Sequence, residues 1–446
     1  MKKILVAAMV FAVAYGFGAE RYKDRMFDVS VTKDVVYASN VSHLKTLNDI
    51  SLGLLAYSIL GDGMSVYLYD NETDLTKVKL HMDIYSPKGD KEKNRPAVVV
   101  FHGGAFAAGD KADTDQHSVT YCDSLAARGF VTAAVEYRLG ITAKFKDNAL
   151  TIDSLDFSRT VYRGVQDSRA AIRYLRANAE KLGIDPNRIY VLGNSAGGIL
   201  SLENIYMDKD SEIPAVAKNK PDLGGLDEYG EQGFASEANA AVALWGAVHD
   251  INIIEDNAKP VLLVHGKADS TVLFKTGRPL SNIAGVLKNL LPDLAAEAGS
   301  LVFNVNTPTL YGSFVVDSLL TAKGVAHETY FVDGMAHEFY DDGDFDVKVQ
   351  NKVFNFLYAL TQDKPIDAVK PIMLVRAGAL RMGENNMNFT ISRGENLAYK
   401  VFDVRGKAQM AGSVSAGQVV DLSSLGNGVY VLKVQGERPN KFGLKH

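Results

Sequence analysis

The chain predicts a doubly wound α/β fold on a mostly parallel sheet, followed by a small β-sandwich-like C-terminal domain. Three observations carry that expectation. From Pro96 onward, strand-like runs over 97–101, 130–137, 188–192, 240–248, 260–265 and 327–332 mostly alternate with helix patterns, and such alternation builds parallel sheets. Gly193-Asn194-Ser195-Ala196-Gly197 joins the apolar run Ile189-Tyr190-Val191-Leu192 to a helix-compatible stretch that starts at Gly198. After Asp363-Lys364-Pro365 the composition turns to short strand-like runs between Gly-rich turns.

Taken in order, Met1-Lys2-Lys3 and the apolar run Ile4–Ala14 have the make-up of a secretory signal peptide over 1–19, cut between Gly16 and Ala19. The apolar core is too brief to span a bilayer stably, which disfavours the rival reading as a membrane anchor. Residues 28–37 and 77–85 read as leading strands, and Leu44, Leu47, Ile50, Leu54 and Leu55 fall near helical spacing between them. A helix around Val349–Leu357 closes the large domain, expected to cover 20–362. Within it, residues 276–310 form an insertion in which Ile283, Val286, Leu287, Leu290, Leu291 and Leu294 trace an apolar stripe. A lid over the site and an edge helix completing the core both account for it. A linker over 363–371 leads to the tail, 372–446, whose clearest strands are Leu397–Arg405 and Gly428–Val434.

The Gly-Asn-Ser-Ala-Gly segment has the form of a nucleophile elbow. A serine on a sharp strand-to-helix turn needs small residues two positions either side because the backbones crowd there, and Gly193 and Gly197 supply them. The helix N-terminus that follows turns amide N–H groups toward any oxyanion formed beside Ser195. Upstream, the strand-like Pro96–Phe101 ends in His102-Gly103-Gly104-Ala105-Phe106, where the lack of side chains leaves backbone amides accessible. Gly104, Ala105 and Ala196 are therefore the expected oxyanion donors; a plain glycine turn beside a core histidine is the blander account.

A serine hydroxyl needs a histidine base and an acid to orient it. Among nine histidines, His102 belongs to the oxyanion loop, His265 lies inside a strand-end run and His327 begins a strand. His43, His81, His117 and His249 lack a strand-end loop of the needed kind, and His446 ends the sequence. His337 leaves a strand and turns through Gly334, which makes it the expected base over a surface-loop role. Asp269 follows the apolar run 261–265 at the end where open α/β sheets place their catalytic groups. Asp256 and Asp317 suit loop or helix surfaces better. The order Ser195, Asp269, His337 is that of the strand-elbow hydrolases.

With His102–Phe106, Glu136–Gly140, Asp167–Ala171, Gly183–Ile189 and Ser195–Gly198 in place, the chain resembles the α/β-hydrolase esterases over residues 75–360. Closest in pattern is the carboxylesterase and hormone-sensitive-lipase-like branch, with acetylxylan and feruloyl esterases. Ala105 stands where many of those proteins carry a third glycine. The resemblance implies a serine carboxylic-ester hydrolase without cofactor, acting on a small-molecule or polysaccharide-linked ester. The tail resembles type IX secretion sorting domains, which implies a secretion-machinery partner and a cell-surface or secreted destination; a carbohydrate-binding module is its rival. A serine peptidase on the same fold and a non-catalytic surface binding protein are the alternative functions. The first usually carries a propeller-sized upstream domain, for which residues 20–75 are too few, and the second is disfavoured by a complete triad.

Composition narrows the field. The 446 residues are 47% hydrophobic and 23% charged, with 48 Lys and Arg against 53 Asp and Glu, so the chain is globular and mildly acidic. No basic patch argues for nucleic acid. No later apolar run is long enough for a transmembrane helix, and the lone Cys122 forms no internal disulfide. No metal-ligand cluster or phosphate loop stands out.

Overall fold

The structure is a computed structural model. It describes residues 19–43, 68–69, 75–112, 117–146, 149–152, 154–218, 223–281, 302–341, 344–362, 380–382, 388–391, 397–403, 407–434 and 440–444. The chain divides into two compact units, Met1–Asp367 and Ala368–His446.

The first unit is built on an eight-stranded sheet. Its strands are β1 (Val29–His43), β2 (Leu75–Pro87), β3 (Arg95–Phe101), β4 (Val131–Val135), β5 (Ile184–Asn194), β6 (Ala240–Leu244), β7 (Val261–Gly266) and β8 (His327–Val332). Their order across the sheet is β1-β2-β4-β3-β5-β6-β7-β8. The first two pair antiparallel, β2 meets β4 antiparallel, and every pairing from β4 to β8 is parallel. Every residue of β3, β6 and β7 is buried. Strands covered on both faces read as continuous apolar runs, which is why they were visible without alternation.

Side chains of β3 divide by parity. Ala97, Val99 and Phe101 enter one core with Val161, Ile172, Ile199, Leu200, Val316 and Leu320. Val98 and Val100 enter the other with Tyr121, Leu125, Val349, Val353 and Leu357. The helices bearing those residues are α1 (Ser118–Ala126), α2 (Ser154–Ala177), α4 (Ala196–Tyr206), α5 (Ser313–Lys323) and α6 (Phe345–Ala359), with the short α3 (Ala179–Leu182) following α2. Thus α2, α4 and α5 cover one face while α1 and α6 cover the other.

Two expectations need correcting. The apolar run 240–248 is not one strand: β6 ends at Leu244, Trp245 takes a left-handed backbone (φ 43), and Ala247–Val248 pair with Leu310–Gly312 in a separate small sheet. The break lets the chain pass α4, where Gly198 lies against Leu244 O and Gly246. The leading strands also run longer than periodicity suggested, because β1 and β2 pair almost end to end, from Val29 opposite Pro87 to His43 opposite Leu75. Outside the described residues lie most of the expected signal peptide, the helix around Leu44–Leu55, the apolar stripe Ile283–Leu294 and the linker 363–371.

The second unit holds two antiparallel sheets. One contains Leu380–Met382, Asn388–Ile391 and Val419–Asp421; the other contains Ala408–Val414, Leu397–Asp403, Gly428–Val434 and Asn440–Leu444, in that spatial order. Phe389, Ile391 and Val420 of the first share one apolar cluster with Val401, Leu432 and Val434 of the second.

Beneath the first unit's sheet edge, Arg138 and Asp167 are both fully buried. Arg138 Nε donates to both Asp167 oxygens at 3.0 and 2.9 Å, the Arg138 amide donates at 2.8 Å, and Nη1 reaches Val41 O at 2.8 Å. The pair therefore ties β1, the segment after β4, and α2. Removing one member of such a pair leaves an uncompensated charge in the core. Asp167→Ala is expected to lower the unfolding free energy by about 3–5 kcal/mol in urea denaturation, and Asp167→Asn, which keeps one acceptor oxygen, by less.

Candidate active site

Ser195 sits between β5 and α4 with φ 53 and ψ −116, a backbone that L-residues seldom adopt. Its neighbours explain how the turn survives. A Cβ on Gly193 would fall well inside contact distance of the Gly197 backbone, and one on Gly197 would strike Phe101 O at the end of β3. Glycine at both positions is required by this approach, and the same contacts place the elbow against the His102 loop. The Ser195 amide is anchored by Leu244 O at 2.9 Å. As the first residue of α4, Ala196 presents an N–H that the helix itself leaves without an acceptor.

The structure brings Ser195, His337 and Asp269 into one hydrogen-bonded line. His337 Nε2 lies 2.9 Å from Ser195 Oγ, and His337 Nδ1 lies 2.7 Å from Asp269 Oδ2. With the proton on Nδ1 donated to the carboxylate, Nε2 is free to accept from the serine hydroxyl. Burial pulls the His337 imidazolium down, but the Asp269 carboxylate outweighs it and leaves the ring above the ordinary value of 6.5. Burial likewise pushes Asp269 up, yet hydrogen bonds from His265 and His337 hold it at about 2. Its second oxygen accepts from the amides of Thr271 and Val272 at 2.8 and 2.9 Å.

The loop after β3 is tightly wound. Gly104 has φ 100, Ala105 φ 53 and Phe106 φ 61, and the amides of Ala107 and Ala108 both donate to Gly104 O at 2.9 Å. Ala105, which stands where a glycine is common in proteins of this pattern, thus takes a backbone that glycine adopts freely and alanine adopts at a cost of about 1–2 kcal/mol. His102 anchors the loop: its ring stacks on Tyr137 with centroids 4.4 Å apart, and Nδ1 donates to Gly103 O at 2.7 Å. Burial pushes His102 down to about 4, so it stays neutral in this place. The Tyr137 hydroxyl donates toward His102 O and Gly103 O at 2.9 and 3.2 Å.

Other candidates lie elsewhere. Asp317, on α5, pairs with His327 at 3.0 Å, and Asp256 pairs with Lys323. His249 contacts the buried Glu203 at 2.9 Å, and His117 contacts Asp346. Three neighbours of the site were given no role from sequence, His265 having been set aside as a strand residue. His265, fully buried, sets Nε2 3.2 Å from Asp269 Oδ2 and 2.8 Å from Val272 O, with Nδ1 2.8 Å from Ser313 Oγ. Glu338 places Oε1 3.8 Å from His337 Nε2. Trp245 packs edge-on to His337, Phe339 and Tyr340. The Gly266 that follows His265 was a readable signal: a Cβ there would collide with Met335 O and Ala336 O in the loop that carries His337.

Residues 82–223 match the BD-FAE family model. The chain is 34% identical over 120 residues to the neuroligin-like protein glit-1 of Caenorhabditis elegans, covering 26% of this chain and 14% of that protein. It is 32% identical over 149 residues to the carboxylesterase NlhH of Mycobacterium tuberculosis, covering 33% of this chain and 39% of that one. The chain therefore spans well under half the length of these curated relatives. A solved structure of Thermogutta terrifontis esterase 2 with bound propionate aligns at a TM-score of 0.40 and 23% identity, over 67% of this chain and 94% of that chain.

The electrostatics of the line can be measured without substrate. Asp269→Asn removes the main group that lifts His337 and leaves burial opposed only by the weaker pull of the Glu338 carboxylate. In histidine NMR the His337 titration should therefore fall from its native position above 6.5 to a lower pH in the variant; an unmoved titration would break the assigned coupling.

Proposed function

We propose that the chain is an exported serine esterase whose catalytic groups are Ser195, His337 and Asp269. The observation that carries this reading is the unbroken line of hydrogen bonds from Asp269 Oδ2 through His337 to Ser195 Oγ. Ser195 Oγ attacks the ester carbonyl carbon while His337 Nε2 takes its proton. The carbonyl oxygen becomes an oxyanion, held by the amides of Gly104, Ala105 and Ala196. The intermediate collapses as the alkoxy carbon–oxygen bond breaks and Nε2 returns the proton to the departing alcohol. Water then adds to the acyl enzyme with His337 again as base, which releases the carboxylic acid and restores Ser195. Asp269 stays ionised throughout and stabilises the imidazolium. The match to the BD-FAE model and the likeness to a carboxylesterase support acyl-ester chemistry.

For the substrate we infer acyl esters on plant polysaccharide, acetyl or feruloyl, because an N-terminal export signal and a tail like the surface-sorting domains suit an insoluble polymer outside the cell. The C-terminal unit is read as a β-sandwich-like sorting domain that engages secretion machinery. Among the described residues no helix is long and apolar enough to cross a membrane.

Ser195→Ala should abolish ester hydrolysis, at a cost on the order of a millionfold in turnover, while leaving the thermal transition intact. Labelling by a fluorophosphonate probe should vanish with it, and normal labelling of the variant would remove Ser195 from its role.

A chain ending at Gln362 retains every proposed catalytic group together with α6, so it should fold and hydrolyse soluble esters at nearly the native rate. In the native host the same truncation should hold the protein behind the outer membrane. If it reaches the surface normally but no longer binds insoluble polysaccharide, the tail is a binding module instead.

A further inference from the structure

We propose that Glu338 selects the alcohol side of the ester, favouring cationic and neutral alcohols and rejecting those that carry a carboxylate. The inference rests on Ser195 and His337 acting as described above and goes beyond it to substrate class.

Glu338 follows His337 directly and takes a left-handed backbone, φ 52, which non-glycine residues adopt only where their surroundings hold them there. Two contacts do so. Its carbonyl accepts from the Tyr340 amide at 2.8 Å, and its Oε1 accepts from Asn194 Nδ2 at 3.3 Å. The carboxylate is thus braced between the histidine loop and the residue that precedes the nucleophile. Its position excludes the role of an alternative triad acid. Asp269 already occupies Nδ1, whereas Glu338 stands 3.8 Å from Nε2, the nitrogen that exchanges its proton with serine and with the departing alcohol.

The charge at this point is available to substrate. Among the described residues Glu338 has no Lys or Arg partner, and its side chain keeps 36% of its exposure. A departing alcohol oxygen must come within about 3 Å of Nε2 to receive its proton, which bounds its distance from Glu338 Oε1 at about 7 Å. Substituents one or two carbons further along the alcohol can therefore come within direct reach of the carboxylate. At about 6 Å in a partly exposed site, a unit charge on the alcohol changes kcat/KM on the order of tenfold, upward for a cation and downward for an anion. On a polysaccharide this separates acyl groups borne by neutral sugars from those borne by uronic acids.

The full chain can be tested with three acetate esters of matched length, whose alcohols end in trimethylammonium, in tert-butyl and in a carboxylate. At low ionic strength the native protein should rank them cation, neutral, anion in steps of about tenfold, and 0.5 M salt should compress the ranking. Glu338→Gln keeps the shape and the acceptor to Asn194 but removes the charge. It should bring the cation-to-anion ratio within about threefold, while fluorophosphonate labelling of Ser195 reports that the elbow is intact. An unchanged ratio in Glu338→Gln, or no charge ranking in the native protein, overturns the proposal even though esters are hydrolysed. If the variant does not fold, the native ranking and its salt dependence decide alone. If the native protein cleaves none of the esters and the probe leaves Ser195 unlabelled, the esterase reading itself has failed, and this inference with it.

Discussion

The contact between Gly193 and Gly197 across the strand-to-helix turn is the constraint on which the site depends. Two backbones meet there at a separation that leaves no room for a single β-carbon, and Gly197 in turn lies on the last carbonyl of β3. The approach forces Ser195 into its strained conformation, and that conformation turns Oγ toward His337 rather than into the helix. Strain of this kind costs of order 1–3 kcal/mol and persists only when the surroundings over-determine it. Here the surroundings are the middle of the sheet: β5 lies between β3 and β6, and the Ser195 amide is fixed by Leu244 O.

The acid end of the line is built on a different principle. A buried carboxylate is expensive unless its lone pairs are filled, and Asp269 fills them with two backbone amides, His337 and His265. The four contacts fix the carboxylate in place and keep it charged, so the neighbouring imidazolium has a fixed anion to meet. The loops that carry Asp269 and His337 are also joined to each other: Lys267 donates to Val332 O and Ala268 to Met335 O, both at 2.9 Å. Asp269 and His337 are therefore carried on loops that are bonded directly to each other.

Much of this was legible in the sequence because it is written in local rules. Buried parallel strands are apolar runs, and the elbow glycines are needed whatever the rest of the chain does, so β3, β5, β7 and the segment 193–197 could be read directly. His337 and Asp269 followed from their places after strand-like runs. What stayed hidden depends on contacts between distant segments. His265 reads as one more residue of a buried strand, and only the fold shows its ring against Asp269 and Ser313. Trp245 reads as strand interior, yet the backbone reverses there to clear α4. Glu338 carries no local signal, since its meaning lies in a dihedral angle and in the proximity of Asn194. The pairing of Arg138 with Asp167 across 29 positions is of the same kind.

The loop after β3 links these two classes. Its glycines mark accessible amides in the sequence, but accessible amides are not yet positioned amides, and positioning here comes from residues outside the loop. Tyr137, which follows β4, carries a hydroxyl that donates toward the carbonyls of His102 and Gly103, and its ring lies on the His102 imidazole. Donation to those carbonyls turns the peptide planes so that the succeeding N–H groups face the other way. Burial keeps His102 neutral, so the loop is anchored without a charge being placed in the core. The proposed oxyanion loop is therefore set by its neighbouring strand through the Glu-Tyr-Arg segment after β4: Tyr137 orients the loop, and Arg138 locks the segment to Asp167 in the core.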